Sequence, residues 1–180
     1  IRNLPVMLAA AGMIQREASG VEFVISQAPT VKRGLMDAII AAHGSDVACR
    51  VATGKVGDIF RACRLVIAVS GTVTLEAAIW GTPTVIIYKL SPISYWLGRT
   101  LVRVEHIGLV NLIAGRRVVP ELVQQEASPA NISRIVLDLL ENTDRLETIK
   151  KGLAEVKAIL GTAGASNKVA EIAAGMLPGR

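Results

Sequence analysis

At 180 residues, with 51% hydrophobic and 19% charged side chains, the chain has the size and composition of a single domain with a substantial core, which excludes intrinsic disorder. Its formal charge of +5 fits an anionic partner, such as a nucleotide or a phospholipid, and equally a solubilising charge scattered over the surface. Nucleic acid is set aside, because no basic run is interleaved with aromatics and no helix-turn-helix, finger or RNP pattern occurs. Aromatics make up only 3%, so Val, Ile, Leu and Ala must build the core, which is the usual filling of buried parallel strands and points to an α/β fold.

In chain order, the spacing predicts a helix over Leu4 to Glu17 that ends near Gly20, a strand over Val21 to Ile25, and a loop opened by Pro29. A second helix is expected through Lys32 to Ala42, a weaker strand over Asp46 to Ala52, and a short helix over Gly54 to Cys63. Leu65 to Val69 is the clearest buried strand and ends on Ser70-Gly71-Thr72. From Thr72 the pattern turns helical, with Gly81 as a stop before Pro83, and Thr84 to Tyr88 is the next strand. Ser91-Pro92 has the form of a helix start. A last strand-like stretch runs through His106 to Val110, and a helical tail begins at about Pro129, capped by Ser128 and broken between Gly161 and Gly164. The alternation of strands and helices predicts a Rossmann-like parallel sheet with helices on both faces. Such a domain normally opens with a strand and a glycine-bearing loop, whereas the first predicted element here is a helix. The first strand is therefore expected to be missing or upstream, leaving an unpaired edge in the middle of the sheet.

The apolar stretches fall well short of the roughly 20 residues that span a bilayer. Residues Ile1 to Pro5 do not read as a signal peptide, and a start without Met suggests an excised fragment. Cys49 and Cys63 are too few for a disulfide framework and lack metal-ligand companions, so they are read as reduced core residues in a cytoplasmic protein, with no metal or cofactor expected.

The most informative segment is Val69-Ser70-Gly71-Thr72-Val73-Thr74-Leu75-Glu76, a buried strand feeding a helix through a small-residue turn. Ligands of open α/β sheets bind at the carboxyl ends of the strands, and helix N-termini offer unpaired N–H groups to anions, so Ser70, Gly71 and Thr72 are placed to donate to a diphosphate. Glu76 suits ribose hydroxyls as an acceptor; a capping turn beside a solvated glutamate fits the same residues. Asn111, in an apolar loop bounded by Gly108 and Gly115, suits either a phosphate or a backbone clamp, and spacing alone favours the clamp. Arg116, Gln124 and Gln125 add polar groups nearby. His43 and His106 stand alone and are read as structural.

Taken in order, Ser-Gly-Thr-x-Thr-Leu-Glu from Ser70 to Glu76, Gly81-Thr82-Pro83, Tyr88-x-x-Ser91-Pro92 with Tyr95-Trp96-Leu97 and Leu101-Val102, Asn111 to Arg116, and Val119-Pro120-Glu121-Leu122 with Gln124 resemble lipid-A-disaccharide synthase. The resemblance implies the C-terminal, donor-binding half of a two-domain (GT-B type) inverting and metal-independent glycosyltransferase. The implied reaction moves 2,3-diacylglucosamine from its UDP derivative to 2,3-diacylglucosamine 1-phosphate. It further implies Glu76 at the uridine ribose, Ser70, Gly71 and Thr72 at the diphosphate, and Asn111, Arg116 and Gln124 as further substrate-binding residues. The family's Gly-Ser-Arg loop, N-terminal half and acidic candidate for the general base are expected upstream of Ile1, so no catalytic residue is assigned within this chain and its activity alone is not expected. Implied partners are the UDP-linked acylated glucosamine, the acylated glucosamine 1-phosphate, the N-terminal half and the inner-membrane surface, with room for a homodimer. Other readings are a UDP-sugar enzyme of the same architecture, such as an epimerase or a peptidoglycan glycosyltransferase, and a non-catalytic interaction module.

The expected helix from Ser91 to Arg103 carries Tyr95, Trp96 and Leu97 beside Arg99 and Arg103, a composition suited to a peripheral membrane surface, with packing against the N-terminal half as the alternative. Sedimentation with anionic liposomes at low salt is expected to pull down the native sequence more than a Trp96→Ala, Arg99→Ala pair. Equal partitioning would remove the membrane role.

Overall fold

Helix α1, Leu4–Glu17, opens with Pro5 in its first turn, where the missing N–H costs nothing, and buries Leu8, Ala10, Ala11 and Ile14 along one stripe. The structure, a computed structural model, describes residues 3–44, 46–89, 106–161 and 164–176. The helix expected from Ser91 lies outside them. After α1 come β1 (Phe23–Ser26), α2 (Arg33–His43), β2 (Cys49–Ala52), α3 (Val56–Ala62), β3 (Val66–Val69), α4 (Thr72–Ile79) and β4 (Thr84–Tyr88). Beyond residue 105 follow α5 (Leu109–Ala114), β5 (Glu121–Val123), a 3-10 turn (Gln124–Glu126), α6 (Pro129–Glu141), α7 (Thr143–Leu160) and α8 (Ala165–Gly175).

All strand pairs are parallel. β1 pairs with β2 from Phe23↔Cys49 to Ser26↔Ala52, and a second sheet has the order β3-β4-β5, with Val69 opposite Ile87 and Tyr88 opposite Val123. On one side α1 packs along α2 and α6, and α6 rests on β4; α4 contacts β3, β4, α3, α5 and α7. Ile14, Val85, Ile87, Ile132, Leu139 and Leu153 meet in one core, against which Phe23 of β1 and Ile67 of β3 also pack. Both sheets therefore share a core. Among the described residues, β1 and β3 each pair on one side only, and this shows in their burial: Thr84 to Ile87 of β4, paired on both sides, are buried, while Phe23, Val24, Ile25, Val66, Ile67 and Val69 are half-buried. Among the described residues the β1-β2 and β3-β4-β5 sheets do not pair with each other, so β1 and β3 each keep an unpaired edge.

Gly81 stops α4 as expected. It takes a left-handed φ of 70°, which lets its N–H reach Ala78 O at 2.9 Å and that of Thr82 reach Ala77 O at 2.9 Å, satisfying the last carbonyls of the helix. Ser128 caps α6 by accepting from Asn131 N at 3.3 Å, and Asn142, accepting from Arg145 N at 3.1 Å, divides the tail into α6 and α7.

Two elements depart from the sequence reading. The strand expected over His106 to Val110 is instead the approach to helix α5, and β5 falls in a segment read only as polar residues before a cap. The first follows from one distant side chain: Glu121 accepts the N–H groups of Ile107 at 3.0 Å and Gly108 at 3.1 Å, capping a helix whose own sequence supplies no cap, while β5 is defined by its pairing with β4. No helix among the described residues is long and apolar enough to cross a membrane.

Amide exchange measured on this chain should rank the strands by pairing, with the β4 amides of Val85 to Ile87 the slowest and those of β1 and β3 faster. Equal protection in all three would show the β1 and β3 edges to be covered.

Candidate functional site

In the three-stranded sheet every strand points the same way, so the residues after β3, β4 and β5 meet at one edge. Ser70 extends the β3–β4 pairing by donating its N–H to Ile87 O at 3.0 Å. Gly71 then adopts φ 157° and ψ −171°, a conformation essentially confined to glycine, although nothing lies within 4 Å of where a Cβ would stand. The backbone, not space within the chain, demands the glycine. Its carbonyl accepts both the N–H and the Oγ1 hydroxyl of Thr74, at 3.1 and 2.7 Å, so the chain turns directly into α4. The first N–H groups of that helix have no partner within it and carry its positive end. Thr72 and Glu76, four residues apart, are exposed on one face, while Thr74, Ala77 and Ala78 are buried on another. The structure thus brings Ser70, Gly71, Thr72 and Glu76 together. The Ser70 hydroxyl donates to Ile107 O at 3.2 Å, which fastens the turn to the segment before α5.

Asn111 is wholly buried. Its Oδ1 accepts from Val118 N at 2.7 Å and Val119 N at 2.9 Å, and its Nδ2 donates to Val119 O at 2.8 Å and to Glu121 Oε1 at 2.6 Å. Both amide hydrogens and both lone pairs of the oxygen are committed, so the side chain works as the backbone clamp and has none left for a ligand. Glu121 is buried with it and collects three donors, from Ile107, Gly108 and Asn111. A side chain at Gly108 would run into Ile86 and Glu121. The sequence reading missed Glu121 as a site-building residue; the signal available was a single glutamate between apolar neighbours, Pro120 and Leu122.

Arg116 sits past the other end of α5, roughly 9 Å of helix from Gly108, and is paired in the open with Glu155 of α7. The structure does not bring it to the Ser70 turn. Gln124 directly follows β5 at the strand edge, is buried, and has φ 53°, the one non-glycine among the described residues with positive φ. Lys89 directly follows β4 and is exposed at the same edge; a charge placed right after a buried parallel strand could have marked it. His43 is exposed at the end of α2, and His106 has its Nδ1 buried without a hydrogen-bond partner. Cys49 and Cys63 are free thiols, and burial pushes that of Cys63 up against the lowering influence of Arg50. Among the described residues no cluster of three or more His, Cys, Asp or Glu could hold a metal ion.

Parallel strands flanked by helices, with polar loops gathered at the carboxyl edge, define a Rossmann-like α/β domain. Within that class the chain belongs to the lipid-A-disaccharide synthetase family, whose profile matches residues 1–175. It is 42% identical to the lipid-A-disaccharide synthase of Nitrosococcus oceani over 99% of this chain and 45% of that protein. It is also 42% identical to that of Geobacter sulfurreducens, over 96% and 44%, and 39% identical to that of Anaeromyxobacter dehalogenans, over 98% and 46%. The chain spans less than half the length of these relatives.

Removing the Asn111 amide leaves the N–H groups of Val118 and Val119 buried without acceptors, at about 1–3 kcal/mol each. Urea unfolding of Asn111→Ala is therefore expected to lose on the order of 3 kcal/mol, against under about 1 kcal/mol for Arg116→Ala, which breaks only a surface pair. Equal losses would rule out the clamp.

Proposed function

We propose that this chain is the donor-nucleotide half of an inverting glycosyltransferase. It binds UDP-2,3-diacylglucosamine for transfer to 2,3-diacylglucosamine 1-phosphate, giving the acylated disaccharide 1-phosphate and UDP. Membership of the lipid-A-disaccharide synthetase family supports the reaction class, and the relatives' shared name, lipid-A-disaccharide synthase, supports the product. The observation that carries the assignment to this half is the β3–α4 junction, where a glycine turn opens a helix at the carboxyl edge of a parallel sheet with Glu76 on the exposed face. The Gly71–Thr72 turn faces the diphosphate, Ser70, whose N–H and hydroxyl are both bonded within the chain, anchors that turn, and Glu76 accepts from the ribose hydroxyls. As the glycosidic bond breaks, charge grows on the departing UDP, so N–H donors fixed at the start of α4 stabilise the transition state more than the ground state. Asn111 contributes by bonding Glu121, which holds the Ile107–Gly108 backbone to which Ser70 is bonded; Gln124 lines the same edge. The acceptor sugar and the general base are assigned to the remaining length of the relatives. The protein then works at the cytoplasmic face of the inner membrane, where its acylated substrates reside.

Calorimetric titration of this chain with UDP and with 2′-deoxy-UDP tests the ribose contact. Native protein is expected to prefer UDP, whereas Glu76→Ala loses about ten- to a hundredfold in UDP affinity and no longer discriminates. Glu76→Gln should lose less. An unchanged UDP dissociation constant in Glu76→Ala would return Glu76 to a solvated surface role.

A further inference from the structure

Lys89 occupies a position that neither the ribose nor the turn assignment uses. Because Ser70 N–H bonds Ile87 O and Tyr88 stands opposite Val123, the residue after β4 emerges between the Ser70–Gly71 turn on one side and Gln124 on the other. Neighbouring strands lie about 5 Å apart, so a lysine on the middle strand has both loops within the reach of its side chain. Lys89 is exposed, and among the described residues it takes part in no ion pair or hydrogen bond. A carboxylate would have cancelled its charge; here the charge stays available.

The backbone beside it gives a second and independent mark. Gln124 is held in the left-handed region at φ 53°, which costs a residue with a Cβ energy that the surroundings must supply, and such strain clusters where ligands are clamped. The turn is held by Asn131 Nδ2 donating to Glu126 O at 3.1 Å and by Ser128 N–H donating to the same oxygen at 2.8 Å. One edge thus combines a glycine turn at a helix start, an uncommitted cation and a strained polar residue on three adjacent strands.

We infer that Lys89 is a diphosphate-binding residue of this site, its ammonium group meeting the non-bridging oxygens of the nucleotide ligand opposite the N–H groups of α4. The inference rests on the donor-nucleotide reading and adds a residue to it. A lysine serves here as a point charge, free of the planar geometry an arginine imposes. During transfer it neutralises charge building on the departing diphosphate.

The test titrates native protein, Lys89→Gln and Lys89→Arg with UDP, uridine and inorganic pyrophosphate at low and high salt. Lys89→Gln is expected to bind UDP and pyrophosphate about tenfold more weakly, with a flatter salt dependence, while its affinity for uridine matches native protein and Lys89→Arg recovers most of the loss. Matching far-UV spectra and melting temperatures exclude a folding defect. Equal UDP and pyrophosphate affinities in native protein and Lys89→Gln overturn the role of Lys89 and leave the donor-nucleotide reading standing. Native binding of pyrophosphate but not UDP, lost in Lys89→Gln, sustains the anion site and sinks the uridine reading. Binding of neither sinks both.

Discussion

The buried pairing of Glu121 with Asn111 is the constraint on which the rest of the edge depends. A carboxylate and a primary amide placed out of contact with water demand partners, and the chain supplies them from its own backbone: Ile107 and Gly108 to Glu121, Val118 and Val119 to Asn111. Satisfying those demands fixes the start of α5, the turn after it and the register of β5 against β4 together. Through Ile107, whose carbonyl accepts the Ser70 hydroxyl, the same network reaches the glycine turn at the start of α4. The loops at the carboxyl edge are therefore held by polar bonds from below, and the apolar core fixes only the strands they leave.

How far this was legible in the sequence depends on where each signal lies. Helix α1 and strand β4 have the bounds that periodicity assigns, Leu4–Glu17 and Thr84–Tyr88, because Ala10, Ile14 and the run Val85-Ile86-Ile87 report burial within a few residues of themselves. The β3–α4 turn was legible for the same reason: strand, glycine and helix follow one another without interruption. Helix α5 was not. Leu109 and Val110 read as the end of a strand and Asn111 to Ala114 as an apolar loop between Gly108 and Gly115, because the helix's cap arrives from Glu121, beyond the reach of any local window. Strand β5 has three residues, one of them a glutamate, and only pairing with β4 defines it.

The site residues divide along the same line. Ser70, Gly71, Thr72 and Glu76 are consecutive or one turn apart, so a motif could place them in a common region. Asn111 carried two readings that spacing could not separate completely, and its four short bonds select the clamp. Its amide bonds Glu121, Glu121 holds the Ile107–Gly108 backbone, and that backbone receives Ser70, so Asn111 reaches the glycine turn only through Glu121 and the main chain. Arg116 shows the opposite case: adjacent in sequence to the clamp, it is carried to the far end of α5, where Glu155 takes its charge.

The division of strain between Gly71 and Gln124 follows from what each strand end must do. At the end of β3 the chain must enter a helix at once, and an extended glycine with positive φ accomplishes this with open space where a side chain would stand. After β5 the chain instead runs through a 3-10 turn to the Ser128 cap of α6, and the residue there keeps a full amide side chain in a left-handed backbone. A glycine would adopt that conformation with less strain. Retaining Gln124 in it gives up stability locally, a cost borne by the bonds that Ser128 and Asn131 make to Glu126 O around the turn.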